Sequence, residues 1–327
     1  MGVRASIVGL GFCVPERVLT NRDLEKMVDT SDEWIRTRTG IRERRIAAKG
    51  QGTSDFASKA SLAALKQAGL KAAELDLIVC ATSTPDMPLP STACLVQQKI
   101  GAKKAAAFDL AAACSGFVYA LVTADQFIRT GFYKNILVIG ADVISPYIDW
   151  TDRSTCVLFG DGAGAVVLKP SASGGVLSGV IGSDGQYADL LKIDAGGSRR
   201  PASHETVERK DHYLKMNGAE IFKLAVRRMS EAVVESLERA GVKSSDVACF
   251  IPHQANLRII DAVAERLALP KEKIFVNLER YGNTSAASCV IALCEAIEAG
   301  KIQKSDKVVF ATFGSGLVWG ALVMEWT

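Results

Sequence analysis

An internal repeat constrains the fold of this chain more than any other feature of its sequence. The segment LKQAGLK at 65–71 aligns with LERAGVK at 237–243. Four pairs of segments match in the same order along the two halves: 65–71 with 237–243, 77–81 with 249–253, 105–110 with 274–278, and 164–168 with 320–324. One such match arises by chance, but four in one order indicate that an α/β unit is present twice.

The repeat predicts an α/β fold of two halves, residues 1–172 and 173–327, divided within the small-residue segment PSASGG at 170–175. Duplicated units of this kind pack face to face about a pseudo-twofold axis. In each half a turn and a helix follow one of the repeated strands, and these turns contain Cys114 and Asn283. We therefore expect both residues to point into one shared site.

Local patterns predict several individual elements. A helix is expected at Met216–Gly241, a strand at Ile274–Leu278, and a strand at Thr155–Phe159 that enters a hairpin turn at the glycine run 160–164. That run has GxGxG spacing and precedes a strand, so it is no dinucleotide fingerprint. The uncharged stretch Val308–Met324 contains a glycine-rich interruption and is interpreted as two buried strands rather than a membrane span.

The composition excludes several functional classes. With 327 residues, 48% hydrophobic, the chain has ample material for a large core, and its net charge of +3 is too small to indicate nucleic-acid binding. Eight cysteines without a CxxC pair are typical of reduced thiols in the cytoplasm. Three histidines leave little material for a metal site. We expect no membrane segment, metal or cofactor.

The stretch from Ala105 to Gly131 carries the candidate nucleophile. A buried strand leads into a turn of small residues, and a helix follows from Phe117, so Cys114 lies at the helix start. The helix dipole and free N–H groups there favour a thiolate and should lower the pKa of the thiol. Alternatively, Cys114 is a small buried apolar residue, as most free cysteines are.

Two other residues occupy comparable places. His253 follows a predicted strand, and Asn283 precedes a predicted helix, where functional residues of α/β sheets concentrate. Taken singly, His253 is interpreted as a satisfied core histidine and Asn283 as a turn residue. Together with Cys114, and placed by the repeat, they favour a common site.

Arginines surround a tryptophan in the segment from Thr30 to Arg45. A charge run is usually a solvated surface. A surface for an anionic ligand with a flat ring is the alternative, because Arg binds phosphate through a planar fork and Trp offers a stacking face.

Nearly the whole chain resembles the thiolase-like condensing enzymes, specifically the β-ketoacyl-acyl carrier protein synthase III family. The matching segments are DTSDEWIRTRTGIRERRI, DLAAACSGF, WTDRSTCVLFGDGAGAVVL, IPHQANLRII, YGNTSAAS and FGSGLVWGALV. The resemblance implies a thiolase-like fold, with the two duplicated halves forming five layers in the order αβαβα. It also implies a cytoplasmic homodimer whose substrates are coenzyme A thioesters and acyl carrier protein.

The resemblance implies a Cys-His-Asn triad of Cys114, His253 and Asn283. Cys114 would take the acyl group of an acyl-coenzyme A, with the backbone N–H groups of Cys114 and Ser315 as the oxyanion hole. His253 and Asn283 would stabilise the enolate formed when malonyl-acyl carrier protein loses carbon dioxide. The product would be a β-ketoacyl-acyl carrier protein, the first step of type II fatty acid synthesis.

The resemblance also implies binding residues, position by position. Coenzyme A would contact a group of six residues: Trp34, Arg38, Arg153, Gly218, Phe222 and Asn256. Arg258, with Lys223, would dock the acidic carrier protein, although scattered solvated charge explains Lys223 equally well. Leu89 would limit the acyl pocket across a dimer interface, where the family often has a larger aromatic residue.

Other functions remain open. A Cys-His-His elongation synthase would need a histidine at Asn283, and a thiolase would need a second catalytic cysteine. A relative that makes a secondary metabolite or polyketide starter would keep the same triad. A Cys-His-Asn thioester hydrolase would not need Trp34, Arg38 and Arg153, and an inactive carrier-protein-binding module would form no acyl-enzyme.

Overall fold

Two β-sheets form the framework of the structure. The computed structural model describes residues 2–327. Its strands are β1 (Arg4–Cys13), β2 (Val18–Thr20), β3 (Glu43–Arg45), β4 (Leu77–Ala81), β5 (Ala106–Leu110), β6 (Ile136–Asp142), β7 (Gly162–Ser171), β8 (Gly175–Ser183), β9 (Leu191–Ile193), β10 (Leu214–Met216), β11 (Val247–Pro252), β12 (Lys307–Gly314) and β13 (Val318–Glu325).

Helices cover both faces of these sheets. They are α1 (Asn21–Leu24), α2 (Asp32–Thr39), α3 (Thr53–Ala68), α4 (Thr92–Ile100), α5 (Gly116–Arg129), α6 (Arg153–Cys156), α7 (His204–Glu208), α8 (Gly218–Ala240), α9 (Leu257–Arg266), α10 (Leu278–Tyr281) and α11 (Ser288–Glu298). Two single 3₁₀ turns, Ala113–Ser115 and Ser285–Ala287, lead directly into α5 and α11.

The two sheets repeat one strand order. The first runs β1-β7-β6-β4-β5 and the second β8-β13-β12-β11, so the first four positions correspond one to one. All five strands of the first sheet end by Ser171, and all four of the second begin at or after Gly175. This agreement explains the matched segments of the sequence.

The layers follow from what each helix touches. Helices α5 and α11 contact strands of both sheets and form the central layer, whereas α3 packs on β1, β6 and β7 and α8 packs on β8, β12 and β13. The order is therefore helix, sheet, helix, sheet, helix, and the predicted five-layered α/β architecture is confirmed. The central helices are mostly apolar because they are buried on both sides.

The strand predicted at Ile274–Leu278 is wrong. This segment makes one parallel bridge, from Ile274 to Phe250, and the Phe275 N–H donates to the Phe250 carbonyl. Helix α10 then starts at Leu278, so the place of β5 in the second sheet is held by an extended segment only.

The hairpin predicted around residues 160–164 is also wrong. Residues 153–156 form α6, whose start is capped by Asp152, and the glycines 162 and 164 lie within β7. A Cβ at Gly164 would lie 2.4 Å from a methyl carbon of Val290 in α11. These glycines therefore serve close packing of the central helix on the sheet.

The predicted long helix and the two predicted strands near the C-terminus are both present in the structure. The long helix begins at Gly218 rather than Met216, because Asn217 caps it by accepting the Glu220 N–H at 3.3 Å. The stretch Val308–Met324 forms the antiparallel pair β12–β13, as predicted. Among residues 2–327, the structure contains no helix whose length and apolarity would let it span a bilayer.

The 3₁₀ turn Ser285–Ala287 packs against β6 at Gly140, and we predict that this contact tolerates no side chain. A Cβ there would lie 2.3 Å from the carbonyl oxygen of Ala286, which is backbone and cannot rotate away. Gly140→Ala should lower the free energy of unfolding by about 1–3 kcal/mol, the usual cost of overpacking, as measured by urea denaturation. Gly185→Ala, where a Cβ meets nothing within 4 Å, is the control. Equal stability of both variants would contradict a close contact between Gly140 and the Ala286 carbonyl.

Candidate active site

Cys114 lies in the 3₁₀ turn that joins β5 to α5. The preceding residue, Ala113, has a φ of 44°, so the chain bends sharply there. Gly314 at the end of β12 packs directly against the turn, where a Cβ would lie 2.7 Å from the Cys114 nitrogen. The thiol is 8% exposed and therefore reachable only from within a cavity.

The Cys114 thiol is protonated in the substrate-free protein. The pKa of Cys114 is raised to about 12, chiefly by burial and to a smaller extent by the Asp142 carboxylate, although the Ser285 hydroxyl and the Cys114 N–H act in the opposite direction. The Ser285 Oγ lies 3.4 Å from the sulfur. The lowered pKa predicted from the helix start is thus wrong for this state, because the loss of solvent outweighs the local donors.

His253 follows β11 and is held at both its backbone and its ring. Its N–H donates to the Ala311 carbonyl at 2.8 Å, and its ring Nδ1 lies 2.6 Å from the Ser288 Oγ. The side chain is 4% exposed, and burial lowers the pKa of His253 to about 4. The ring is therefore neutral at physiological pH.

Asn283 presents its amide in a fixed orientation. The Ser285 N–H donates to Oδ1 at 2.8 Å, which leaves the two Nδ2 hydrogens for another acceptor. Its own N–H donates to the Leu158 carbonyl at 2.8 Å, and its carbonyl accepts the Gly160 N–H at 3.0 Å. The segment 158–160 thus holds Asn283 in place.

Asn283 is not the structural counterpart of Cys114. The turn Ala113–Ser115 corresponds to Ser285–Ala287, and the two turns share a positive φ, 44° at Ala113 and 51° at Ser285. Asn283 precedes its turn by two residues, whereas Cys114 lies within its own. The expectation of equivalent positions was therefore wrong, because the turns rather than the polar residues are duplicated.

One cavity nonetheless brings the three side chains together. The inner cavity, of about 120 Å³, is lined by Cys114, His253 and Asn283 and by three of the residues predicted to contact coenzyme A, namely Gly218, Phe222 and Asn256. Its remaining wall is mostly apolar. A narrow apolar passage with a thiol and two neutral polar groups suits a thioester better than a charged substrate.

Cys114 also faces a second cavity, of about 350 Å³, on its other side. Ser315 lines this second cavity, and its hydroxyl donates to the Leu191 carbonyl at 2.5 Å. The backbone N–H groups of Cys114 and Ser315 have no acceptor among residues 2–327. Leu89 lines neither cavity of the single chain and is 85% exposed.

The predicted nucleotide surface is partly assembled. The guanidinium of Arg153 lies 4.9 Å from the ring centre of Trp34, and its Nη1 donates to the Asp29 carbonyl at 2.9 Å. This direct stacking leaves no room for a base between the two side chains unless Arg153 moves. Arg38 is exposed on the same helix as Trp34, α2, which contacts α9.

The two residues predicted to dock the carrier protein are both exposed. Arg258, in the first turn of α9, places its guanidinium 5.6 Å from the ring centre of Phe222, a wall residue of the inner cavity. Lys223 follows Phe222 in α8 and donates to Glu220 at 2.9 Å. Arg258 thus contacts a residue that lines the inner cavity, and Lys223 is the next residue after it in the chain.

Two serines of the site were not singled out from the sequence. Ser285 contacts both Cys114 and Asn283, and Ser288 contacts the ring of His253. Both belong to the matched segment YGNTSAAS. Their spacing of three residues at a helix start was a signal, because it puts them on one side of that helix. Residues 2–327 contain no cluster of three or more potential metal ligands.

Known proteins resemble this chain over its whole length. Residues 108–185 match the family 3-oxoacyl-(acyl-carrier-protein) synthase III, and residues 237–326 match its C-terminal part. The β-ketoacyl-(acyl-carrier-protein) synthase III of Symbiobacterium thermophilum is 57% identical, covering 98% of this chain and 97% of that protein. That of Clostridioides difficile is 54% identical, covering 100% of both.

Solved structures of the same family are also similar to this chain over nearly its whole length. The 3-oxoacyl-(acyl-carrier-protein) synthase III of Aquifex aeolicus is 51% identical with a TM-score of 0.92, covering 98% of this chain and 100% of that one. The priming β-ketosynthase of the R1128 polyketide pathway is 35% identical with the same TM-score, covering 99% and 97%.

Because His253 is neutral in the folded protein, the free energy of unfolding depends on pH. The pKa of His253 is about 4 in the folded protein, against an ordinary value of 6.5, so unfolding lets the ring bind a proton between these values. Stability is therefore lost as the pH falls from 6.5 toward 4. Between pH 7 and pH 5 the wild type should lose about 2 kcal/mol more of its free energy of unfolding than His253→Gln, as measured by urea denaturation. Equal losses would contradict a neutral ring.

Proposed function

This chain belongs to the 3-oxoacyl-(acyl-carrier-protein) synthase III family, and we propose that Cys114, His253 and Asn283 carry out the family's reaction at the inner cavity. The enzyme is an acyl-transferring condensing enzyme. It joins an acyl group from an acyl-coenzyme A to malonyl-acyl carrier protein through an acyl-cysteine and so initiates fatty acid synthesis. The observation that carries the residue assignment is the shared cavity of the three side chains.

In the first half-reaction, the sulfur of Cys114 attacks the thioester carbonyl of the acyl-coenzyme A. The carbon–sulfur bond to coenzyme A breaks, and the proton of the Cys114 thiol ends on the departing coenzyme A sulfur. The tetrahedral oxyanion is stabilised by the N–H groups of Cys114 and Ser315, which are free to donate. Loss of one such donor typically costs about 100-fold or more in rate.

In the second half-reaction, His253 Nε2–H and Asn283 Nδ2–H donate to the thioester carbonyl of malonyl-acyl carrier protein. Carbon dioxide leaves, and the resulting enolate is held by these two donors. Its carbon attacks the acyl-Cys114, and the acyl–sulfur bond breaks with its electron pair going to the sulfur. The Cys114 thiolate then takes a proton from water, and the β-ketoacyl-acyl carrier protein is released. Two neutral donors suit this step, because a buried cation would hold the malonyl carboxylate that has to leave.

Substrate binding is divided along the cavity. Gly218, Phe222 and Asn256 line the passage that a pantetheine chain would occupy, which supports their assignment. Trp34 and Arg153, with Arg38 nearby, form the surface for the coenzyme A nucleotide, and Arg153 moves off the Trp34 ring when the base binds. The reaction needs no further cofactor.

Arg258 is the principal docking residue for acyl carrier protein, with Lys223 beside it. A positive guanidinium at the edge of the passage attracts an acidic partner and aligns the partner's prosthetic arm with the cavity. Lys223 contributes less, because it already pairs with Glu220 at 2.9 Å.

The enzyme is a cytoplasmic homodimer. Strand β5 pairs only with β4, so its other edge is free within residues 2–327, and Phe108 on that strand is exposed. A free edge with exposed apolar side chains favours pairing with a second copy. Leu89, 85% exposed, would then close the acyl cavity of that copy. All eight cysteines are free thiols, which supports a reducing compartment.

A starter enzyme for a polyketide is the second candidate, favoured by the 35% identity to the R1128 priming β-ketosynthase. Identities of 54–57% to fatty acid relatives favour the first candidate.

The division of roles predicts separable losses. With labelled acetyl-coenzyme A, Cys114→Ser should form no acyl-protein, because the serine hydroxyl is a far weaker nucleophile than the cysteine sulfur. His253→Ala and Asn283→Ala should still acylate Cys114 but lose malonyl decarboxylation by about 100-fold or more. Intact-mass spectra measure acylation, and release of labelled carbon dioxide from malonyl-acyl carrier protein measures decarboxylation.

Cys13→Ala, which removes a half-buried thiol elsewhere, is the control and should keep both activities. An acylated Cys114→Ser protein would refute the nucleophile, and equal loss of both half-reactions in the other two variants would refute the division of roles. Release of acetate without malonyl-acyl carrier protein would identify a hydrolase.

The free edge of β5 predicts a dimer that one substitution can separate. Phe108→Glu places a charge in the interface and should reduce the mass measured by light scattering from that of two chains to that of one. Phe132→Glu, at an aromatic side chain 69% exposed elsewhere, should remain dimeric. A monomeric wild type, or a dimeric Phe108→Glu protein, would contradict this interface.

A further inference from the structure

The ring of His253 has a buried partner on its far side. Ser288 is the first residue of α11 and is 2% exposed, and its hydroxyl oxygen lies 2.6 Å from Nδ1. A separation this short between two buried groups requires one proton between them. The position of that proton decides whether the other ring nitrogen, Nε2, carries a hydrogen.

The surroundings of Ser288 assign the proton to its oxygen. The backbone N–H of Gln254 donates to the same Oγ at 3.4 Å, so one acceptor position of the hydroxyl is used. If Nδ1 also donated, the Ser288 hydrogen would have no oxygen or nitrogen acceptor among residues 2–327, because Nδ1 and the Gln254 N–H are the two hydrogen-bond partners of this Oγ. Leaving a buried hydroxyl hydrogen without a good acceptor is unfavourable. The hydroxyl therefore donates and Nδ1 accepts.

The segment that carries His253 is itself rigid, so this geometry persists. The side chain of Gln254 donates to the carbonyls of Pro252 and Phe275 at 2.7 and 3.2 Å, and its Oε1 accepts the Asn277 N–H at 3.0 Å. This buried amide therefore uses both ends to fix the chain next to the histidine.

We propose that Ser288 is a positioning residue that holds His253 as the Nε2–H tautomer, the form that donates into the inner cavity. The hydroxyl also fixes the ring plane, so that Nε2 points toward the substrate carbonyl. Its importance for the reaction rests on the proposed role of His253 in malonyl decarboxylation. Acyl transfer to Cys114 uses other donors and does not depend on Ser288.

The tautomer can be observed directly. In protein labelled with ¹⁵N-histidine, long-range ¹H–¹⁵N spectra distinguish a ring protonated at Nε2 from one protonated at Nδ1. The chain has three histidines, and the signals of His253 are those missing from His253→Gln. We expect wild-type His253 to be protonated at Nε2 and Ser288→Ala to contain a mixture of both tautomers.

Kinetics provide the second measurement. In Ser288→Ala, decarboxylation of malonyl-acyl carrier protein should fall about 10-fold or more, toward the roughly 100-fold that loss of a donor costs, while acylation of Cys114 stays within about twofold. Ser61→Ala is the matched control, because it also removes a buried hydroxyl, one that donates to the Ala57 carbonyl of its own helix at 2.6 Å. It should keep both rates and the wild-type spectrum.

A wild-type spectrum with the proton on Nδ1 would overturn the proposal, and so would a Ser288→Ala protein with unchanged tautomer and decarboxylation rate. If Ser288→Ala fails to fold, the proposal is tested by the wild-type spectrum alone, which shows whether His253 is protonated at Nε2 or at Nδ1. A wild type that decarboxylates nothing would refute the proposed function instead, and the tautomer would still be read from the spectrum.

Discussion

The buried carboxylate of Asp142 joins the two halves of the protein beneath the active site. It lies at the end of β6 and accepts hydrogen bonds from Thr82 and Thr84 and from the Ser83 N–H within its own half. It also accepts the N–H of Ala286 at 3.1 Å from the other half. Burial raises the pKa of Asp142, and these donors oppose that shift. Because an unsatisfied buried carboxylate is very costly, the turn Ser285–Ala287 of the second half cannot move away from the end of β6 without breaking this network.

The same burial keeps the resting site without charge. It raises the pKa of Cys114 and lowers the pKa of His253, so a protonated thiol and a neutral ring face the inner cavity. In the proposed reaction, negative charge develops on the substrate, first as a tetrahedral oxyanion and later as an enolate. Donors fixed in a buried site stabilise such charges without reorganising. This explains why serine hydroxyls and backbone N–H groups, rather than cations, surround the reacting atoms.

The two halves of the framework differ in the strand that precedes the turn of the site. The first half keeps β5 and places Cys114 in the turn that follows, whereas the second half reduces the corresponding strand to one bridge at Ile274. The first sheet thus retains β5 as an edge strand without a partner among residues 2–327. Asn283 takes its place two residues before the second turn, where its amide can reach the same cavity as Cys114.

The sequence by itself determined the α/β class, the duplication and the identity of the Cys114, His253 and Asn283 candidates, because periodicity, repeats and motifs are local properties of the chain. Only the tertiary structure decided the protonation of Cys114, the contact of Ser288 with His253, and the packing of the turn Ser285–Ala287 on Gly140. A pKa depends on the solvent lost around a group, and Ser288 and His253 are 35 residues apart in the chain. Such distances and burials arise only when the two sheets enclose the central helices, so no local pattern encodes them.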